Sequence, residues 1–451
     1  MKIFKRFLNW MKPLPTKEVS YENDEHLRKK YKFWRVRMFC GMYLAYVIYY
    51  FARTNINYAT PSMMEAYNIT ASKFGYITMA LFITYGIGKF VSGMLADKCN
   101  IRAFMSFGLL GSAIINLVFG FIPSVSLLAL LWGVNGIFQS MGYPPAAKGL
   151  VYWFSPTERA TKWSLWSTSH TIGASLIGFL VAYSIKFGSW QAAFYLPGIL
   201  GLFTVIILLI TLTDKPSAVG LPPIDIYRND PPVIKQESNV SHFEILKKYV
   251  FCNFYIWILS ITYIFIYFIR WFPLNWGTLF MSQRGIANHT AAFLLTSMPL
   301  IGSFGGLLSG WFADKCFKGR CAPVIIIYLI GLMVGLWGMY KYTYATTSPF
   351  IISLFFALVG FCVAGPQAII GGLYVSRVTA QESISAACGF TGMFGYFGAI
   401  LTGLIGRIID KHGWNGIFLT CYACCILSMI FIAFTWKREK QGLMNKQQQG
   451  L

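Results

Sequence analysis

Charge is scarce in this chain. Asp, Glu, Lys and Arg make up 12% of its 451 residues, and 56% are hydrophobic. An ordinary soluble domain carries about 25% charged residues, so the chain cannot cover a soluble surface. Carboxylates are the scarcest group: 16 Asp and Glu stand against 38 Lys and Arg. None falls near the centre of an apolar run, which leaves no Asp or Glu relay of the kind that proton-coupled carriers commonly use. Metal spacing is also lacking. Cys421, Cys424 and Cys425 lie in an apolar run, where cysteine serves as a small packing residue. His170 is the only histidine inside an apolar segment. With no acid–base pair or metal cluster in view, an enzyme is not expected, and no cofactor is expected either. No secretory signal is expected, because a long polar stretch precedes the first apolar run.

What is abundant is apolar sequence in runs long enough to cross the roughly 30 Å of bilayer hydrocarbon, about 20 residues each. Spanning segments of this composition must be helical, because each backbone polar group has to be paired within the segment. Twelve spans are predicted. Six lie near 36–56, 73–95, 103–122, 126–149, 164–185 and 192–213, and six near 251–275, 291–312, 322–341, 349–373, 386–408 and 414–436. The expected organisation is a basic tail over 1–35, a six-helix half over 36–213, a linker over 214–250, a second half over 251–436 and a tail over 437–451.

The net charge of +22 does not point to nucleic acid. Lys and Arg crowd the N-terminal tail, the linker (Lys215, Arg228, Lys235, Lys247, Lys248) and the C-terminus (Lys437, Arg438, Lys440). With those segments inside, inner loops hold Lys98, Arg102, Arg159, Lys162, Lys315, Lys318, Arg320 and Arg377, while outer ends hold a thinner scatter. This bias places both termini in the cytoplasm. Apolar residues at 3, 4, 7, 8 and 11, with Lys5 and Arg6 between them, have helical spacing and suit the surface of a bilayer.

Two landmarks repeat. Tyr46-Val47-Ile48-Tyr49-Tyr50-Phe51-Ala52-Arg53 returns as Tyr263-Ile264-Phe265-Ile266-Tyr267-Phe268-Ile269-Arg270, 217 positions later. Gly93-Met94-Leu95-Ala96-Asp97-Lys98 returns at the same offset as Gly310-Trp311-Phe312-Ala313-Asp314-Lys315. Unrelated landmarks sharing one offset indicate a duplicated chain, each half bringing one arginine. An arginine at the centre of a membrane helix costs about 2.5–3.5 kcal/mol on insertion scales. No carboxylate offsets it in sequence, so an anionic ligand is the natural partner for Arg53 and Arg270, whose forked guanidinium matches phosphate or carboxylate oxygens in pairs. Lys89 in the second span adds positive charge, and His170 can hydrogen-bond a phosphate. A site of uncompensated cations is costly when empty, which favours exchange of one anion for another. The paired Gly-x-x-Ala-Asp motifs, with Gly93, Asp97, Arg102, Gly310, Asp314 and Arg320, suit a cytoplasmic gate whose charge contacts hold one state and break in the other.

The Gly93-x-x-Ala96-Asp97-Lys98 loop resembles the signature loop of the major facilitator superfamily. The stretch Arg159-Ala160 to Trp166-Ser167-Thr168-Ser169-His170-Thr171-Ile172-Gly173-Ala174 resembles the signature of its organophosphate:phosphate antiporters. Phe138 to Pro145, Gly220 to Ile224 and Gly389 to Tyr396 match further pieces. The resemblance implies an all-α membrane protein with twelve transmembrane helices in two pseudo-symmetric halves. It implies a bacterial inner-membrane carrier, working as a monomer, that exchanges an organic phosphate for inorganic phosphate. It places phosphate on Arg53 and Arg270 with Lys89 and His170, and puts Tyr46, Tyr50, Tyr85, Gln139, Tyr267 and Tyr396 in the cavity. Ser167 and Asn275 are expected there too, although Ser167 stands where the family usually has asparagine. Residues around Trp257 and Asn275-Trp276-Gly277 look most like the hexose-phosphate branch, which includes both carriers and a sensor of external glucose 6-phosphate; glycerol 3-phosphate is the alternative substrate.

Overall fold

Asn100 shows how this chain starts a helix. Its side-chain oxygen accepts from the backbone N–H of Ala103 at 2.7 Å, satisfying one of the unpaired donors of the first turn. Asn253 does the same for Tyr255 at 3.1 Å. Helices account for most of the computed structural model, which describes residues 2–19, 23–229, 247–379 and 383–448 with no strand among them. The linker residues Pro231, Pro232 and Lys235 lie outside the described residues.

In order the helices are α1 (Lys2–Met11), α2 (Asp24–Tyr67), α3 (Ala71–Lys98), α4 (Ile101–Phe119), α5 (Val125–Ser140) and α6 (Tyr143–Trp153). Then follow α7 (Pro156–Lys186), α8 (Ala192–Thr211), α9 (Ile224–Arg228), α10 (Phe254–Ser282), α11 (Asn288–Leu295) and α12 (Ser297–Trp311). The last are α13 (Ala322–Tyr342), α14 (Pro349–Ala368), α15 (Val375–Val378), α16 (Ile384–Leu401) and α17 (Ile405–Gln448).

Ten helical stretches among the described residues are long and apolar enough to cross a membrane, two fewer than the twelve expected. The difference has a physical source. α2 carries Arg53, Thr54, Asn55, Asn57 and a strongly basic first half, which depress its hydropathy. The stretch Ala386–Trp436 is 51 residues long, far more than the roughly 20 one crossing needs. It is broken at Gly413, whose φ of 65° a side chain would resist. The expected span over 126–149 is also interrupted. α5 ends at Ser140 and α6 begins at Tyr143, because Pro144 and Pro145 cannot donate into a preceding turn. Exposed Phe90, Phe350 and Leu419 on these helices suit surfaces that face lipid.

The chain forms two compact units. The first comprises Met1–Ile56, Ala80–Ile177 and Ser189–Gln236. Its interior is held by polar side chains on backbone as well as by apolar packing. Asn55 donates to Asn116 Oδ1 and to the Ala193 carbonyl, both at 2.8 Å. Asn116 and Asn135 donate to the Ala52 carbonyl at 2.9 and 3.0 Å. The tail does not hang free in this unit: Asn100 donates to the Trp10 and Lys12 carbonyls, and Met11 packs on Ala96, Ala103 and Phe104.

The second unit comprises Asn57–Met79, Gly178–Gly188 and Glu237–Leu451. The ends of α2 and α3 therefore pack with the later helices. Thr278 donates to the Asn57 carbonyl at 2.7 Å, and Arg407 Nε to the Tyr76 hydroxyl at 2.7 Å. The Asp410 carboxylate accepts from the Ser72 N–H at 2.9 Å, at the positive end of α3. Helices α12 and α14 approach closely because small residues face each other; a Cβ on Gly360 would stand 2.1 Å from the Met298 carbonyl oxygen.

Candidate anion-binding residues

In the first unit the backbone of α2 is pinned beside Arg53 by the two asparagine bonds to the Ala52 carbonyl. Arg53 itself is 5% exposed. Its guanidinium lies 4.2 Å from the centre of the Tyr85 ring and 5.6 Å from that of Tyr50. Aromatic faces attract the cation and offset part of its burial cost.

The other expected residues gather around this point. Tyr50 lies 5.6 Å from Tyr46 and 5.5 Å from His170, ring to ring. Lys89 stands one turn beyond Tyr85 on α3, with its Nζ 5.1 Å from the Tyr143 ring. Tyr143 lies 6.4 Å from Tyr46 and 5.7 Å from Trp166, and Trp166 lies 4.6 Å from Tyr46. The structure thus brings Tyr46, Tyr50, Arg53, Tyr85, Lys89 and His170 into one chain of contacts. It adds Tyr143 and Trp166, which were not expected as site residues. Tyr143 could have been found from the Pro-Pro pair beside it, which breaks α5 from α6 and turns the first residue of α6 inward. Gln139 is used differently: it is buried and donates to Ser112 on α4 at 3.2 Å. Ser167 is half-buried on α7.

Gly173 sets how near α7 comes to α2. A Cβ there would stand 2.7 Å from the Val47 carbonyl oxygen and 2.9 Å from Tyr50 Cβ. Gly173→Ala is expected to displace α7, with an overpacking cost of roughly 1–3 kcal/mol. Anion affinity should fall in a protein that still inserts and stays folded, measured by ligand binding alongside thermal denaturation; unchanged affinity would show that the α2–α7 spacing is irrelevant to the ligand.

In the second unit Arg270 is half-buried on α10, 5.7 Å from the Tyr267 ring and 5.4 Å from that of Trp271. No ion pair among the described residues involves it. Tyr267 contacts Tyr263 at 4.7 Å and Tyr396 at 5.8 Å, ring to ring. The two arginines share the repeated Tyr-x-x-x-Tyr-x-x-Arg spacing and a ring at its second tyrosine, and differ in the other ring, Tyr85 at Arg53 and Trp271 at Arg270. Asn275 is buried and donates to Thr402 Oγ1 at 3.1 Å.

Asp314 meets Arg377 at 3.3 Å, not Arg320. Gly310 has open space around its Cβ position, as has Gly93. Asp97 is exposed, and Arg102 and Arg320 are half-buried. The buried anchor of the α3–α4 turn is Lys148, which sequence reasoning missed. Its Nζ donates to the carbonyls of Cys99 at 2.7 Å and Ala96 at 3.1 Å, at the negative end of α3. It also lies 3.7 Å from Asp214. Asp214 in turn accepts from the Ile101 N–H at 3.4 Å, at the positive end of α4.

Residues 42–330 and 259–450 match the Major Facilitator Superfamily. The chain belongs to that superfamily. Its relatives include a probable hexose phosphate transport protein of Chlamydia pneumoniae, 35% identical, covering 96% of this chain and 98% of the relative. The glycerol-3-phosphate transporter of Bacillus subtilis is 32% identical, covering 96% and 99%, and the membrane sensor protein UhpC of Escherichia coli is 34% identical, covering 94% and 97%. The fold is similar to that of the nucleoside transporter NupG (TM-score 0.67, 16% identity, covering 89% of this chain and 98% of that one). It is also similar to that of a bacterial homologue of the lysosomal transporter Spinster (TM-score 0.66, 16% identity, covering 91% and 97%).

Proposed function

We propose that this protein is a carrier exchanging a hexose phosphate, glucose 6-phosphate, for inorganic phosphate by alternating access, with Arg53 and Arg270 binding the phosphoryl group. The observation that carries the proposal is the pair itself. Two arginines recur at one offset in a chain without carboxylates in its apolar runs, each set among tyrosines. Lys89 and His170 supply further charge and a hydrogen bond, and the tyrosines line the sugar's path. On this reading the chain crosses a bacterial inner membrane twelve times, counting α2 once and Ala386–Trp436 twice; an even number leaves both termini on one side, their basic residues favour the cytoplasmic one, and the protein acts as a monomer. The names of the Chlamydia and Bacillus relatives support a phosphorylated sugar or glycerol phosphate as substrate. Similarity to the Escherichia coli sensor favours a second reading, in which hexose phosphate binds without net transport.

Counterflow of labelled glucose 6-phosphate in proteoliposomes, with unlabelled competitors, tests the substrate. Glucose 6-phosphate is expected to compete more strongly than glycerol 3-phosphate, and free glucose not at all. The reverse order of the two phosphates would make this a glycerol phosphate carrier. Saturable binding with no counterflow would make it a sensor.

The proposal extends to the contact of Ser72 with Asp410, which joins the start of α3 to the first turns of α17 and is expected to break once per cycle. Ser72→Cys with Asp410→Cys, in a background without other cysteines, is expected to stop exchange on oxidation and regain it on reduction. Exchange that ignores the disulfide would show that this end does not open.

A further inference from the structure

Away from the arginine sites, the first unit holds a second cationic cavity of about 330 Å³. Two helices line it with the same gradation. Along α2, Arg28, Lys32 and Arg35 are followed by Val36, Phe39 and Cys40. Along α7, Glu158 and Lys162 are followed by Leu165. The positions 28, 32, 35/36 and 39/40 on α2, and 158, 162 and 165 on α7, advance by three or four residues, so each set forms one stripe on its helix. Both helices start at the charged end, and both stripes pass from charge to apolar surface. Val36 and Leu165 are exposed at 56% and 51%. The wall at the charged end is rigid: Tyr31 stacks on Tyr227 at 3.9 Å, and its hydroxyl donates to the Pro222 carbonyl at 2.5 Å. Burial, partly countered by Arg35, raises the Tyr31 phenol above its ordinary range, so the hydroxyl keeps its proton.

Charge in the cavity is unbalanced. Four cations line it against the single carboxylate of Glu158. That carboxylate is already engaged by Arg35 and, at 3.7 Å, by Arg228. Arg35 lies 4.8 Å from the Phe154 ring, and its buried Nε has no hydrogen-bond partner among the described residues.

We propose that this cavity binds one anionic phospholipid, its phosphodiester held by Arg28, Lys32, Arg35 and Lys162 and its acyl chains lying along Val36, Phe39 and Leu165. A free anion would use the cations but leave the apolar stripes unexplained. A phospholipid matches both, in the order in which the helices present them. Basic pockets between membrane helices, at the level where charge gives way to apolar surface, suit such headgroups. Bound there, the lipid would tie the start of α2 to the start of α7 and to the linker helix α9.

The test is native mass spectrometry of the full chain with phosphatidylglycerol, phosphatidylcholine and inorganic phosphate as separate probes. The intact protein should keep one phosphatidylglycerol after the remaining lipid is stripped. The triple variant Arg28→Gln, Lys32→Gln, Lys162→Gln should bind it about tenfold more weakly or worse. Lys32→Arg alone should keep it. Substrate binding, which uses other residues, reports whether the triple variant is folded. Equal retention by the triple variant would overturn the proposal, as would equal retention of phosphatidylcholine. Capture of inorganic phosphate in place of the lipid would make this a free-anion site and would also overturn it.

Discussion

Arg53→Lys and Arg270→Lys are each expected to lower phosphate exchange by roughly 10- to 100-fold, the equivalent of losing one charge-assisted hydrogen bond of about 1.5–3 kcal/mol. The substitution keeps the positive charge and removes the planar fork, so the loss reads geometry, not net charge. Arg53 has little room to adapt. It is buried, its ring neighbours Tyr85 and Tyr50 stack on a flat group, and the preceding carbonyl is fixed by Asn116 and Asn135. A lysine there presents a point charge with a large hydration demand. Both variants should insert normally, and exchange rates with binding isotherms would check the effect. Wild-type exchange in Arg270→Lys would show that a single arginine suffices and that the repeat is only a relic of duplication.

The largest stability effect is expected at Lys148. The Lys148 side chain is 9% exposed and that of Asp214 2%, and between them they neutralise the facing ends of α3 and α4. Lys148→Met leaves a buried carboxylate unpaired, a cost of roughly 3–5 kcal/mol. Asp214→Leu leaves the lysine buried among the last carbonyls of α3. The double variant leaves no charge behind, so it should be more stable than either single one. Thermal denaturation of the four proteins checks this. Additive losses would mean that the pair is not coupled and that Lys148 acts only as a helix cap.

The repeat, the membrane class and the aromatic setting of the two arginines were legible in the sequence because each is a matter of spacing along one chain. The 217-residue repeat marked the stretch holding Tyr46, Tyr50 and Arg53, while position inside apolar segments, and then the family resemblance, brought in Lys89 and His170. Helix limits were less legible. Hydropathy marks where lipid ends, whereas α2 continues from Asp24 to Tyr67, since Lys, Arg, Glu and Leu at its start favour helix in water as well. The partners of buried polar groups were not legible at all. Asn55, Asn116 and Asn135 meet only when three helices pack. Asp314 pairs with Arg377 across 63 positions, not with the nearer Arg320. Nor does any local pattern mark the regrouping of 57–79 and 178–188 with the second unit. That depends on packing at one end of the helices, which a hydropathy profile does not contain.

We propose obligatory exchange of anions, with Arg53 and Arg270 binding the phosphoryl group. Its most direct test is uptake of labelled glucose 6-phosphate by proteoliposomes loaded with phosphate, against empty vesicles and with a protonophore present. Uptake should require internal phosphate and survive collapse of the proton gradient. Uptake into empty vesicles, or uptake abolished by the protonophore at constant internal phosphate, would contradict it.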